Sequence, residues 1–146
     1  MNKTVRYITI AILSAVGSTA SVLAHCQVPC GIYNDEMRIQ MMQEHVTTIE
    51  KAMKQIEAGQ NANQTARWVL NKEKHAEELS EIVTYYFLAQ RIKPDMDHYE
   101  ENLKTFHGIL VYTMKSKQTT DLAHVAKLKE LIHHLEHSYF GKEHNH

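Results

Sequence analysis

The chain has few of the residues that interrupt helices, with five glycines and two prolines among 146 residues. Few interrupting residues, together with many Glu, Lys, Gln and Met, favour helices over strands. The formal net charge is −1, so no basic surface predicts nucleic acid as a partner. H-E-x-x-H, a phosphate-binding loop and a Ser-His-Asp pattern are also absent from the sequence, so these enzyme classes have no support.

An apolar segment rich in small residues opens the chain. Lys3 and Arg6 precede the run "YITIAILSAVGSTASVLA", which ends at Ala24. A basic start, an apolar centre and small residues at the end are typical of a cleaved export signal. Several serines, a threonine and a glycine make the run a weak candidate for a membrane anchor. We therefore expect a leader over residues 1–24, removed by a signal peptidase or a maturation protease, and no membrane attachment after cleavage.

Apolar residues recur at intervals of three and four in four later segments, which predicts amphipathic helices. The first runs from about Asp35 to Ala58 and is ended by Gly59. Its inward residues should be Ile39, Met42, Val46, Ile49, Met53 and Ile56. The second covers about 66–91, with Asn71 as a candidate cap at a break. Its inward residues should be Leu79, Ile82, Val83, Tyr86 and Ala89.

Two further helices complete the prediction. Asp95, after Pro94, is expected to cap the third, and Thr120 or Asp121 the fourth. The third should turn Tyr99, Leu103, Phe106, Leu110 and Thr113 inward, and the fourth Leu122, Val125, Leu128, Ile132, Leu135 and Tyr139. Short polar loops between such helices predict an all-α fold, an antiparallel four-helix bundle over 35–140 with a polar tail at 141–146.

The only two cysteines lie four residues apart in "HCQVPCGIY". An exported protein with two cysteines usually joins them in a disulfide, although so small a loop would gain little stability from it. A metal site is the alternative. If cleavage makes His25 the N-terminus, its amine, the amide nitrogen of Cys26 and the thiolate of Cys26 form consecutive chelate rings. Cys30 can return a second thiolate, and the His25 ring can act as an axial ligand. Residues 25–34 would then form an N-terminal metal-binding hook.

This donor set favours particular metals. Planar nitrogen and sulfur coordination suits Ni(II) or Cu(II), whereas zinc prefers a tetrahedron. An ionised amide and two thiolates are strong electron donors, so they make Ni(III) accessible. The site would therefore suit one-electron redox chemistry on a small molecule.

The stretch "HCQVPCGIY" resembles the nickel hook of nickel-containing superoxide dismutases, H-C-x-x-P-C-G-x-Y. The likeness continues in "NQTARWVLNKEKHAEEL" and "YYFLAQRIKP". The resemblance implies a four-helix bundle assembled as a homohexamer, with one nickel ion per subunit. It also implies disproportionation of superoxide to oxygen and hydrogen peroxide through Ni(II)/Ni(III) cycling.

The resemblance assigns roles in the hook. His25, Cys26 and Cys30 are the implied nickel ligands. Tyr33 is expected at the mouth of the site, where its hydroxyl would order water or the incoming anion and serve catalysis.

Three further residues match family positions around the metal. Gln40 follows Arg38-Ile39, where the family has a carboxylate that hydrogen-bonds the axial imidazole and pairs with an arginine. Arg67 matches that arginine. Tyr86 matches a tyrosine near the metal, with Tyr85 as the alternative.

Two other functions stay open at this point. One is an exported nickel or copper carrier without turnover, and the other is a helical structural protein with a disulfide. The leader predicts a periplasmic or extracellular protein, or a cytoplasmic one if a dedicated protease removes it. Among the eleven histidines, His133 and His137 favour a solvated face, and His45 and His75 a surface or boundary position.

Overall fold

The computed structural model of the chain describes residues 29–140. Helices make up most of this range, and it contains no strand. They are α1 (Asp35–Glu57), α2 (Ala62–Glu81, continuing as a π-helical segment over Ile82–Arg91), α3 (Tyr99–Gln118) and α4 (Leu122–Phe140). The predicted all-α fold is confirmed. The expected leader, the ligands His25 and Cys26, and the polar tail lie outside the described residues.

The helices form a bundle in which each one packs against two others: α1 and α3 both contact α2 and α4. The start of α1 meets the end of α4, since Tyr139 donates a hydrogen bond to Asp35. The start of α3 meets the same end of α4, where Ser138 donates to Asn102. Neighbouring helices are therefore antiparallel, as predicted. Within residues 29–140, no helix has the length and apolar character needed to cross a membrane.

The core confirms most of the predicted inward faces. The buried residues of α1 and α4 include Ile39, Met42, Val46, Ile49, Met53, Val125, Leu128, Ile132 and Leu135. In α3 the buried face is rotated relative to the predicted one. Asn102 and Ile109 are fully buried, whereas Leu103 and Leu110 are only partly buried. Some of the inward polar atoms find partners, whereas the Asn102 amide nitrogen and the Ser116 hydroxyl have none within residues 29–140. Thr113 donates to the Ile109 carbonyl of its own helix at 2.7 Å.

Two predicted helix starts, those of α2 and α3, differ from the structure, and the predicted break in α2 is absent. Helix α2 begins at residue 62, because Asn61 caps it and accepts a hydrogen bond from the Gln64 amide at 3.1 Å. The helix continues through Asn71 without a break. Helix α3 begins at residue 99 rather than after Asp95, since His98 adopts a left-handed conformation with φ of 56°. The predicted start of α4 is confirmed, with the Asp121 carboxylate accepting from the Ala123 amide.

The last ten residues of α2 are π-helical. The wider turn buries Tyr86, Phe87 and Gln90 and leaves Ala89 exposed. The prediction that Ala89 faces inward was wrong, because it assumed an ordinary period of 3.6 residues per turn. Single π-helical segments are rare and are frequently found at functional sites. Here the segment carries Tyr86, Gln90 and Arg91 to the start of α1.

Candidate metal centre

Residues 29–34 lead directly into α1 and contain the described part of the predicted hook. Cys30 is exposed and carries a free thiol. Gly31 has φ of 78°, a left-handed conformation that glycine adopts without steric cost. Asn34 then caps α1, its side-chain oxygen accepting from the Met37 amide at 3.0 Å. The expected turn after Cys30 is therefore present, and it ends at the capped start of a helix.

Tyr33 packs on the π-helical segment. Its ring meets the ring of Tyr86 edge-to-face at 5.9 Å between centroids. The guanidinium of Arg91 lies 4.4 Å from the centre of the Tyr33 ring, a cation–π contact. The Tyr33 hydroxyl donates to Gln90 at 3.4 Å. The side chain remains 39% exposed, so a positioned phenol stays accessible to solvent three residues after Cys30.

A buried carboxylate, Asp35, holds this end of the bundle together. Tyr86 donates to it at 2.6 Å and Tyr139 at 2.7 Å. Arg91 pairs with it in a two-pronged arrangement, with its Nε 2.9 Å from one oxygen and a terminal nitrogen 2.7 Å from the other. The Asn34 amide in turn donates to the Tyr86 hydroxyl at 2.8 Å. The backbone that carries the hook is thereby fastened to Tyr86, and through Tyr86 to α1, α2 and α4.

The protonation states of this network follow from its contacts. Burial would raise the pKa of Asp35, but hydrogen bonds from Arg91, Tyr86 and Tyr139 outweigh it and lower that pKa below its ordinary value. Burial and the Asp35 charge raise the pKa of Tyr86 to about 12. The same two causes raise the pKa of Tyr139. Asp35 is therefore ionised and both tyrosines stay protonated near neutral pH.

An open cavity of about 380 Å³ lies beside the turn and is lined by Pro29, Arg38, Tyr85 and Tyr86 together with residues of α1 and α2. The Arg38 guanidinium lies 5.0 Å from the centre of the Tyr86 ring. Its Nε is buried and has no hydrogen-bond partner within residues 29–140. A cation with an unused donor on this wall would attract a small anion.

The structure brings Tyr33 and Tyr86 together, but not Gln40 and Arg67. Gln40 is exposed in a shallow groove on the outer side of α1, and Arg67 is exposed in a separate groove on α2. Each residue of an α-helix is turned about 100° from the last. Gln40 therefore points away, whereas the next residue, Met41, lines the cavity. The predicted hydrogen bond between Gln40 and His25 involves a residue outside the described range and stays a prediction.

The sequence analysis missed Asp35 and Arg91, which form the ion pair at this site. One signal was available, since an acidic residue in the first turn of a helix directly after Tyr33-Asn34 is well placed to meet a cation. Its partner lies 56 residues away, and no local pattern marks that distance. Of the two tyrosines that match the family position, Tyr85 is 53% exposed, whereas Tyr86 is 3% exposed and donates a hydrogen bond to Asp35. Both line the cavity.

The donors fit a nickel ion. Cys30 offers a free thiol, and it follows Pro29 on the cavity wall. The remaining predicted donors, His25 and Cys26, precede this turn in sequence. Thiolate and nitrogen donors together are those that Ni(II) prefers over hard-cation ligands.

Comparison with known proteins also points to nickel. The family model for nickel-containing superoxide dismutase matches residues 20–143. A crystal structure of a tyrosine-to-phenylalanine mutant of NiSOD is similar, with a TM-score of 0.66 and 17% sequence identity. The match covers 80% of this chain and 97% of that one, and it supports the bundle fold. No curated protein matches the chain. Because the family match spans most of the sequence, the chain belongs to the nickel-containing superoxide dismutases: it is an oxidoreductase that uses a nickel ion and acts on superoxide.

Proposed function

We propose that this chain disproportionates superoxide at a nickel hook formed by His25, Cys26 and Cys30. The observation that carries the proposal is the placement of Tyr33. Its phenol is accessible, yet it is held by Tyr86 and Arg91 directly after the turn that contains the free Cys30 thiol. A fixed hydroxyl three residues after the thiol ligand can order water or the anionic substrate.

The overall reaction consumes two superoxide ions and two protons, and it releases one oxygen and one hydrogen peroxide. When bound, nickel supplies a one-electron couple, Ni(II)/Ni(III), for the two half-reactions. The chain supplies binding and orientation. Arg38 on the cavity wall attracts the anion, and the exposed Tyr33 hydroxyl orders water. Tyr86 donates a hydrogen bond to Asp35, so its role is to position the hook rather than to deliver protons.

We further propose that the leader, residues 1–24, is removed by a signal peptidase or a maturation protease. His25 would then be the N-terminus of a domain made of the hook at 25–34, the bundle at 35–140 and the tail. The support is chemical: the free amine completes the nitrogen and sulfur donor set only if no residue precedes His25.

The assembly and location of the protein follow from the same proposal. We propose a homohexamer, as the family resemblance implies. Large apolar side chains such as Leu70 and Met114, 69% and 51% exposed, offer surface for subunit contacts. The export-type leader supports a periplasmic or extracellular site of action. A cytoplasmic enzyme whose leader is cut by a dedicated protease is the alternative.

The test compares the purified protein with a Cys30→Ser variant, measuring bound nickel, superoxide loss and circular dichroism. We expect one nickel per chain and rapid superoxide loss in the unaltered protein. The variant should lose both while keeping its helices, by more than the roughly 10–100-fold typical of removing an outer partner of a metal ligand.

Ile32→Ser is the matched control, because Ile32 is 80% exposed two residues away and should keep full activity. Nickel binding without turnover would instead indicate a carrier. A Cys26–Cys30 disulfide in nickel-free protein would indicate a structural role.

A further inference from the structure

Two histidines that lie 30 residues apart meet at the interface of α1 and α2. The Nδ1 atoms of His45 and His75 are 2.8 Å apart. Glu78, one turn after His75, places its Oε2 atom 3.6 Å from each of those two nitrogens. Within residues 29–140, no other three histidine, cysteine or acidic side chains bring their ligand atoms together in this way. Both histidines lie at half-buried boundary positions, as the sequence predicted. Antiparallel packing of α1 on α2 then brings the two side chains together.

The three side chains are partly shielded from water. His45 is 12% exposed, His75 26% and Glu78 38%. Burial, together with the nearby His75, lowers the pKa of His45 in spite of opposing charges on Glu78 and Glu44. The neutral imidazole is the form that binds metal ions. The Nδ1 atoms of both rings and the Oε2 atom of Glu78 are therefore three candidate ligand atoms around one point. Because the two Nδ1 atoms share one hydrogen at 2.8 Å, one ring has to carry its hydrogen on Nε2 before both nitrogens can bind an ion.

The spacing suits a small divalent cation. Metal–ligand distances of about 2.0–2.2 Å in a tetrahedral site place ligand atoms about 3.3–3.6 Å from one another. The two distances to Glu78 already lie at this value, and the rings of His45 and His75 need to separate by only about half an ångström.

The cluster also has access to solvent. His45 and Glu78 line the same cavity as Pro29 and Tyr86, so a fourth position can be filled by water from the cavity. The other oxygen of Glu78 faces Lys74 at 3.7 Å, which helps to keep the carboxylate in this orientation.

We propose that His45, His75 and Glu78 form a second metal site, for a divalent transition-metal cation of the kind that prefers imidazole, such as Zn²⁺ or Ni²⁺. Its three ligands are different residues from those of the hook, although His45 and Glu78 share a cavity with Pro29. Two histidines and one carboxylate with an open position are ligands that zinc commonly takes, whereas Mg²⁺ prefers a shell made of oxygen alone.

A second histidine pair provides an internal comparison. His133 and His137 on α4 have their Nε2 atoms 3.1 Å apart, but His133 is 73% exposed. Glu136 approaches the opposite ring nitrogen of His133, at 3.9 Å, so it does not face the same point as the pair. This pair offers two ligands rather than three.

The test uses the full protein with Cys26→Ser and Cys30→Ser, which removes the hook thiols. Zn²⁺, Ni²⁺ and Mg²⁺ are titrated separately by calorimetry, and the thermal midpoint is followed with each ion. We expect one Zn²⁺ or Ni²⁺ per chain, no Mg²⁺ binding, and a higher midpoint with the bound ion. His75→Ala should remove this binding, and Glu78→Gln should weaken it by about 10–100-fold.

His107→Ala is the matched control, since His107 is an exposed histidine on α3 and its loss should leave zinc binding unchanged. Circular dichroism confirms that each variant is folded, and the partly exposed His75 and Glu78 give variants that should fold even if His45→Ala does not. The proposal is overturned if His75→Ala binds zinc like its parent, or if only a His133→Ala/His137→Ala double variant loses the ion. Neither outcome affects nickel binding at the hook, which is measured with both cysteines present.

Discussion

The two ends of the bundle both hold a charged side chain among the helices, but they use it differently. At the hook end, the Asp35 carboxylate lies in the first turn of α1. At the other end, the ammonium of Lys72, which is 4% exposed, donates to the Ser116 and Lys117 carbonyls near the end of α3. Each charge is favourable at its helix terminus, an anion at an N-terminus and a cation at a C-terminus.

The difference lies in the partners. Apart from its sequence neighbour Glu73, at 3.0 Å, Lys72 binds backbone carbonyls, which almost any sequence provides. Asp35 binds three side chains, and one of them, Tyr86, also holds the backbone at Asn34. The Lys72 end therefore contributes stability alone, whereas the Asp35 end also determines where the hook emerges. The comparison predicts that substitutions at the Lys72 end will reduce stability alone. Substitutions at the Asp35 end should reduce stability and activity together.

Replacing Asp35 should have the largest effect. Asp35→Ala leaves Arg91, Tyr86 and Tyr139 without their shared acceptor, and the loss of one partner of a shielded ion pair costs about 3–5 kcal/mol. We expect the free energy of unfolding in urea to fall by about 3 kcal/mol, near the low end because Arg91 is 31% exposed. Superoxide activity per bound nickel should fall as well. Asp97→Ala, at an exposed position in the loop before α3, should change neither quantity. Full activity in folded Asp35→Ala would break the link between this network and the hook.

Lys72→Met should come next, with a loss of about 1–2 kcal/mol in the free energy of unfolding, since two carbonyls lose a charged donor. Activity per nickel should stay at the level of the unaltered protein, because Lys72 lies at the far end. Lys74→Met is the control; Lys74 is 69% exposed and pairs weakly with Glu78, so its loss should cost a few tenths of a kcal/mol. A parallel loss of activity in Lys72→Met would show that the two ends are not independent.

Tyr86→Phe tests the hook end more finely. The change removes one hydroxyl that donates to Asp35 and accepts from the Asn34 amide, and we expect a loss of about 1–2 kcal/mol. The superoxide activity of Tyr86→Phe should decline more than that of the control Tyr85→Phe. Tyr85 is the neighbouring tyrosine and is 53% exposed. Equal activities in the two variants would mean that the Asn34–Tyr86 bond does not position the hook.

The pH dependence of stability gives the smallest effect. The pKa of Asp35 is lower in the folded protein than its ordinary value of 3.8. The stabilisation from ionised Asp35 is therefore complete when the pH is above the ordinary pKa. It is lost as the pH falls through the lower pKa of the folded protein. The difference in unfolding free energy between the unaltered protein and Asp35→Asn should be constant above about pH 5 and shrink below 3.8. A difference that grows as pH falls would contradict the assigned ion pair.

The sequence was sufficient for the parts of the fold that follow a regular period. The apolar stripes of α1 and α4 repeat every three or four residues, and most of their predicted inward residues are buried. The clearest exception is Leu122 at the start of α4, which is 41% exposed. The π-helical end of α2 was not predictable in this way, since its wider turn changes which residues face inward. That segment carries Tyr86 and Arg91, so the sequence-based prediction was least accurate at the candidate metal centre.

The site could be predicted only where it is local in sequence. The hook motif and Tyr33 are read from nine consecutive residues. Contacts between helices were not visible, because nothing in the sequence pairs Asp35 with Arg91 or His45 with His75. Gln40 and Arg67 were chosen by likeness to family positions. Gln40 lies on the outer side of α1, and Arg67 borders a separate groove several turns earlier in α2, so neither lines the cavity.

The most direct test of the nickel hook is the N-terminal sequence of the active protein, determined together with its nickel content. We predict that every active, nickel-loaded chain begins at His25, because its free amine is a ligand. A chain that keeps Ala24 before His25 should bind nickel weakly and lack activity. Active, nickel-loaded protein that begins at any other residue would contradict the account.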